Sequence, residues 1–228
     1  MAITDKKIWA DFSDYFRKRR NRALSDLIGQ IPNARILDVG GLPHFWATVP
    51  SAVEASEIVI LNKGAGEYST LDEMQAAKEI MGTQNREVTA NMRLAVGDAR
   101  SLEFDAKEFD LVVCNSMLEH VGEWQNVELA AAELTRVGKH GWVQVPAYEF
   151  PLEVHYMRPF VHWLAEPARA LALRISVKRY RHYSPSQFRD EFENTRLLTK
   201  KEMRFIFPDA RYIPERFAGF RKSHIVTW

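Results

Sequence analysis

The stretch Ile36-Leu-Asp-Val-Gly-Gly-Leu-Pro-His-Phe-Trp46 decides the fold. It begins as a short apolar run, entered from Ala34-Arg35, and closes on Gly40-Gly41. Two glycines let the backbone turn tightly and approach a ligand with no Cβ in the way. Pro43 then opens a helix, because the N–H that proline lacks is unsatisfied in a first helical turn anyway. A strand that passes through a glycine turn into a helix is the opening unit of an open α/β sheet. In such sheets, ligands sit beyond the carboxyl ends of the strands.

Four further runs repeat the strand pattern: Glu57–Leu61, Arg93–Val96, Phe109–Cys114 and Gly141–Val145. Leu71–Met81 and Trp124–Val137 between them have helical composition. Short β-rich runs alternating with helices imply right-handed crossovers and a parallel sheet covered on both faces. Ahead of them, residues 4–29 carry apolar side chains at three- and four-residue steps (Ile8, Trp9, Phe12, Phe16, Leu24, Ile28), as an amphipathic helix requires, and Ile31-Pro32 ends it. The tail predicts a helix over Lys200–Phe207 with Thr199 as N-cap. Two strands follow, Arg211–Phe217 and Lys222–Thr227, joined through Ala218-Gly219-Phe220. The expected architecture is a mostly parallel sheet finished by an antiparallel hairpin, with helices on both faces. Residues 147–198 fit neither pattern. They hold four prolines and many aromatics, too many residues for an ordinary connection, and read as an inserted, partly helical lid within one domain of residues 1–228.

The chain has 228 residues, with Lys+Arg 31 against Asp+Glu 30 and a single cysteine, Cys114. One cysteine excludes an internal disulfide and any Cys-only zinc site. The polar start and the lack of a long apolar run lead to the expectation of a cytoplasmic protein with no transmembrane segment. Charge is uneven: residues 31–154 sum to −10 and residues 155–204 to +6. The basic run Arg17-Lys18-Arg19-Arg20 reads as the wet face of the first helix, or as a phosphate contact.

The strand ends supply the candidate site. Asp38-Val-Gly40-Gly41, Asn62, Gly97-Asp98-Ala99 and Asn115-Ser116 close four successive strands. Asn62 stands near the spacing from Gly40 at which a polar side chain reaches a ribose, and Asp98 can receive an exocyclic amine. Glu119-His120 follows as a catalytic pair. A histidine accepts a proton near neutral pH, although bracing of the loop by His120 is equally open. On the insertion, Glu153, His155, Tyr156, His162, Arg179 and Arg181 are substrate-binding candidates. The arginines suit an anionic acceptor.

In order, Ile36–Gly41, Gly97-Asp-Ala99, Phe109–Val121 and Glu133–Gly141 resemble the motifs of class I S-adenosylmethionine-dependent methyltransferases. The Gly40–Trp46 turn and the Phe150–Tyr156 segment are most similar to small bacterial methyltransferases that accompany polysaccharide biosynthesis. The resemblance implies S-adenosylmethionine as cofactor and S-adenosylhomocysteine as product. It assigns Asp38 and the Gly40-Gly41 backbone to the methionine end, Asn62 to the ribose, Asp98 with the Ala99 backbone to adenine, and the Asn115 carbonyl to the cofactor's amino group, with Ser116 beside it as a further cofactor-binding residue. Two departures stand out. Leu42 and His44 replace the later glycines of the motif, and Asn62 replaces an acid. Ser116 is a poor ligand beside Glu119 and His120, so no metal is expected. The expected reaction is O-methylation of a small-molecule or glycan acceptor. A non-catalytic cofactor- or nucleotide-binding protein and a nucleic-acid methyltransferase are the alternatives.

Overall fold

Ile36, Ile58, Ile60, Leu111 and Val113 turn to one side of the sheet, and Leu37, Val39, Val59, Leu61 and Val112 to the other. Period-two alternation of this kind, apolar on both faces, is what a strand buried between two layers requires. A computed structural model of the chain describes residues 3–63 and 91–228. Its sheet contains β1 (Arg35–Val39), β2 (Glu57–Asn62), β3 (Met92–Val96), β4 (Phe109–Asn115), β5 (Gly138–Pro146), β8 (Arg211–Phe217) and β9 (Phe220–Thr227). The order is β3-β2-β1-β4-β5-β9-β8. Pairings from β3 through β5 are parallel, and those of β5 with β9 and β9 with β8 are antiparallel. Strand order therefore reverses between β1 and β4, where the crevice of such a sheet opens.

Each face has its own core. Leu24 and Ile28 of α1 (Ile3–Ile28) join Trp46, Val49 and Ala52 on one side. On the other, Val127, Ala130, Ala131 and Leu134 of α3 (Trp124–Val137) pack on Val112, Val143 and Val145. Most of the basic run of α1 is exposed, but Arg20 pairs with Glu215 of β8 at 2.9 Å and pins the helix to the hairpin. The short α2 (Pro43–Trp46) follows the glycine turn as expected.

Thr199 caps α6 (Lys200–Ile206) through a reciprocal box with Glu202, satisfying two backbone donors at once. The Ala218-Gly219 turn has positive φ at both residues, as a tight two-residue hairpin demands. The fifth strand starts at Gly138, earlier than Gly141, because Phe109 and Leu111 of β4 pair with Gly138 and His140. The helix expected over Leu71–Met81 lies outside the described residues.

Residues 147–198 contain the small pair β6 (Leu152–Glu153) and β7 (Arg158–Pro159), then α4 (Glu166–Ser176) and α5 (Pro185–Glu193). They build a third cluster from Val161, Leu173, Tyr180, Phe188 and Phe192. The segment is anchored at both ends: Tyr148 N–H donates to the Leu198 carbonyl, and Arg196 N–H to the Glu119 carbonyl.

Candidate active site

The turn after β1 is held from three sides. Gly40 has φ of 80°, and its N–H donates to the Leu61 carbonyl at 2.8 Å. Asn62 Nδ2 donates to the Gly41 carbonyl at 2.7 Å. Beneath the turn, Trp46 Nε1 donates to Asp38 Oδ2 at 2.8 Å. A Cβ at Gly41 would lie 1.7 Å from that same oxygen, so the carboxylate and the glycine require each other. Asp38 is buried behind the turn instead of lining the crevice. Desolvation pushes its carboxyl up to about 7, against the Trp46 hydrogen bond. Its Oδ1 has no hydrogen-bond partner among the described residues.

Above the turn lies a cleft of about 630 Å³ at the carboxyl ends of β1 to β4. Gly40, Asn62, Asp98 and Ala99 line it together with His120. Asp98 arrives already partnered. Arg100 meets it through Nε at 2.9 Å and through its own backbone N–H at 3.0 Å, and Lys63 Nζ stands 3.5 Å away. The Arg100 hydrogen bonds, foremost, hold the carboxyl below the usual carboxylate range. Asn115 and Ser116 turn elsewhere: Trp142 Nε1 donates to Asn115 Oδ1 at 3.2 Å, and Ser116 Oγ lies 3.3 Å from Gln144 Oε1. Their place in the cleft is taken by Met117, over which Gly40 closes. A Cβ on Gly40 would meet Met117 Cγ at 2.3 Å.

His120 faces the cleft from the short helical turn Leu118–His120. Partial desolvation, aided by the charge of His155, pushes its pKa down to about 4, so the imidazole is neutral at working pH. Its ring meets His155 edge-on, with centroids 4.9 Å apart. His155 Nδ1 lies 2.6 Å from Glu153 Oε1. Burial opposes protonation there, yet the Glu153 hydrogen bond and charge prevail and raise the His155 pKa. Glu119 is fully buried, and desolvation, partly offset by His155, pushes its carboxyl up to about 7. Ligand atoms of Glu119, His120 and His155 lie within 4.8 Å of one another, a spacing that a divalent ion could bridge.

A second cleft of about 630 Å³ lies under residues 147–198. Glu153, Tyr156 and His162 line it. It shares Gly122, Glu123 and Glu193 with the first cleft, so the two adjoin beside His120. Arg179 and Arg181 do not line it. Arg179 is committed to Glu191 and stacks on Tyr180 at 5.0 Å, while Arg181 Nη2 donates to the Ile175 carbonyl at 2.9 Å. Arg196 reaches the cleft, and so does Arg169. The Arg169 guanidinium sits 4.3 Å over the Phe192 ring, and its buried Nε is unpartnered among the described residues. The lining sets Glu123, Glu153, Glu166, Glu193 and Glu202 against Arg169 and Arg196. The cleft is acidic, whereas the +6 of the segment had suggested a basic one. Most of that positive charge faces outward, because Leu173, Tyr180 and Phe188 consume the inner face.

A family described as a methyltransferase domain matches residues 55–143, from just before β2 into β5. No curated protein sequence matches the chain. Among solved structures, the chain is similar to magnesium protoporphyrin IX methyltransferase from Synechocystis PCC 6803 with bound SAH. Identity is 11% and the TM-score 0.57, over 100% of this chain and 87% of that one. It is also similar to the methyltransferase domain of bacterial CtHen1-C, at 14% identity and a TM-score of 0.57, over 92% and 96% of the two chains. A protein from Pyrococcus horikoshii OT3 matches at 18% identity and a TM-score of 0.54, over 93% and 89%. The strand order, the glycine turn after β1 and the match at residues 55–143 together give this chain the Rossmann-like fold of the class I methyltransferases.

Proposed function

We propose that the protein is an S-adenosylmethionine-dependent methyltransferase acting on a hydroxyl of a small or carbohydrate-type acceptor. The observation that carries this reading is the junction of the two clefts beside His120. The first cleft fits the cofactor. Gly40 leaves its floor free of a Cβ, and Asn62 and Asp98 offer polar groups along its length. When bound, S-adenosylmethionine supplies an already activated methyl group.

The protein's own contribution is alignment and a proton acceptor. As an acceptor hydroxyl is alkylated its proton becomes strongly acidic, so a neutral imidazole with a pKa of about 4 is basic enough to take it. Burial, and after it the neighbouring His155 ring, keeps His120 unprotonated until that moment. Glu153, Tyr156, His162 and Arg169 line the acceptor cleft.

The acidic lining favours a neutral, hydroxyl-bearing acceptor over the anionic one that the arginine count suggested. It also weighs against a nucleic acid, whose phosphates would face carboxylates. Labelled methyl transfer from S-adenosylmethionine to a panel of sugars, phenols and short oligonucleotides tests the reading. Label is expected on sugar or phenol hydroxyls. Label on the oligonucleotide alone would replace the acceptor class.

A further inference from the structure

The outer face of α4 carries an apolar strip within a basic field. Leu173 is fully buried on the inner face, while Leu171 and Ile175, one turn apart, are 62% and 60% exposed. Leu164 is exposed just before the helix, and the Phe160–Trp163 ring pair, both members exposed, occupies the turn packed beside it. Large apolar side chains grouped on one surface mark a contact face, since isolated ones are commonplace but clusters are not.

Basic residues dominate the end of this strip near Ile175, while Glu166 at the other end of α4 pairs with Arg189 at 3.0 Å. From Pro167 to Arg189 the sequence has no Asp or Glu, and it carries six Arg or Lys residues. Arg174 and Lys178 are exposed around the end of α4. Arg158 and Arg181 reach the carbonyls of Ser176 and Ile175 and so gather their guanidiniums at the same helix end as the exposed Ile175.

We infer that this face docks on an anionic membrane surface. Leu171, Ile175 and Leu164 would enter the interfacial region, and Arg174 and Lys178 would meet lipid phosphates. An interfacial helix is built in this way, with apolar side chains for the acyl boundary and flanking basic groups for acidic headgroups. The charge selects this occupant. A second copy of the chain would oppose basic to basic across a twofold contact, and a purely apolar partner would leave the basic groups unpaired. Arg169 and Leu173 line the acceptor cleft from the opposite face of the same helix, so docking by the outer face would leave both side chains in place. No helix among the described residues is long and apolar enough to cross a membrane, so the attachment is peripheral.

Flotation of the whole protein with vesicles tests this. With vesicles of one third phosphatidylglycerol in phosphatidylcholine at low salt, at least tenfold more protein should float than with phosphatidylcholine alone, and half-molar salt should remove most of it. Leu171→Glu with Ile175→Glu, and separately Arg174→Glu with Lys178→Glu, should each cut flotation at least tenfold. All four side chains are exposed, so thermal midpoint and S-adenosylhomocysteine affinity should not move. Absence of wild-type flotation on the anionic vesicles at low salt would overturn the inference. So would a concentration-dependent dimer that Leu171→Glu abolishes, because a second copy would then own the face.

Discussion

The Trp46 indole and the Asp38 carboxylate are joined at 2.8 Å beneath the Gly40-Gly41 turn, and neither side chain reaches the cleft. The bond lets Asp38 be buried, and the buried carboxylate in turn leaves no room for a side chain at Gly41.

Trp46→Phe should therefore destabilise the fold by about 1–3 kcal/mol, the cost of a buried polar group that loses its partner. Gly41→Ala should cost a similar amount by crowding the same oxygen. Denaturant titration with an unchanged m-value would show both. An unaltered midpoint in Trp46→Phe would mean that the turn does not depend on the bond.

Asp38 and Glu119 predict the pH dependence of stability. Each is held near 7 when folded, well above its ordinary value near 4. Between those limits the folded state binds more protons than the unfolded state, so stability falls as pH rises from about 4 to about 7 and then levels. His120, held at about 4 against an ordinary 6.5, acts in the opposite sense below pH 6.5, as do His162 and His224, which burial also pushes down, so the three offset part of the carboxyls' effect. Asp38→Asn should remove one carboxyl's contribution and flatten the decline by up to about 1.4 kcal/mol per pH unit. Chemical unfolding at several pH values measures it. An unchanged slope would place the charge of Asp38 outside the balance.

His120→Ala should lower kcat by about 10²–10⁴-fold while cofactor Kd moves less than threefold. The acid limb of the wild-type rate profile should lie near pH 4, not 6.5, and should vanish in the variant. Loss of thermal stability with normal specific activity would make the histidine a brace of the loop.

Arg169→Ala should raise the acceptor KM about tenfold or more, the worth of a hydrogen bond from a charged donor. Charge reversal at Arg181 should leave KM unchanged, because that guanidinium is spent on the Ile175 carbonyl. The opposite pattern would restore the anionic-acceptor expectation.

Local order was legible in the sequence and long-range pairing was not. The strand at Ile36, the helix Trp124–Val137 and the Thr199 cap follow from periodicity and end signals within a few residues. Four of the eight cofactor residues drawn from the strand ends line the first cleft, because strand ends locate the crevice in any open sheet. The side chains of Asn115 and Ser116 turn to Trp142 and Gln144, partners from the neighbouring strand that no local pattern announces. The arginines of the insertion share one composition, and only the folded cluster of Tyr180 and Phe188 separates inward Arg169 from outward Arg181. The ring contact of His120 with His155 joins two segments 35 residues apart, and no local pattern announces it.

Calorimetric titration of the folded protein with S-adenosylmethionine and S-adenosylhomocysteine tests the central claim most directly. One site of micromolar affinity is expected, about −8 kcal/mol, weakened at least tenfold by Asp98→Ala and by Asn62→Ala. No binding of either compound to the folded wild-type protein would contradict the account.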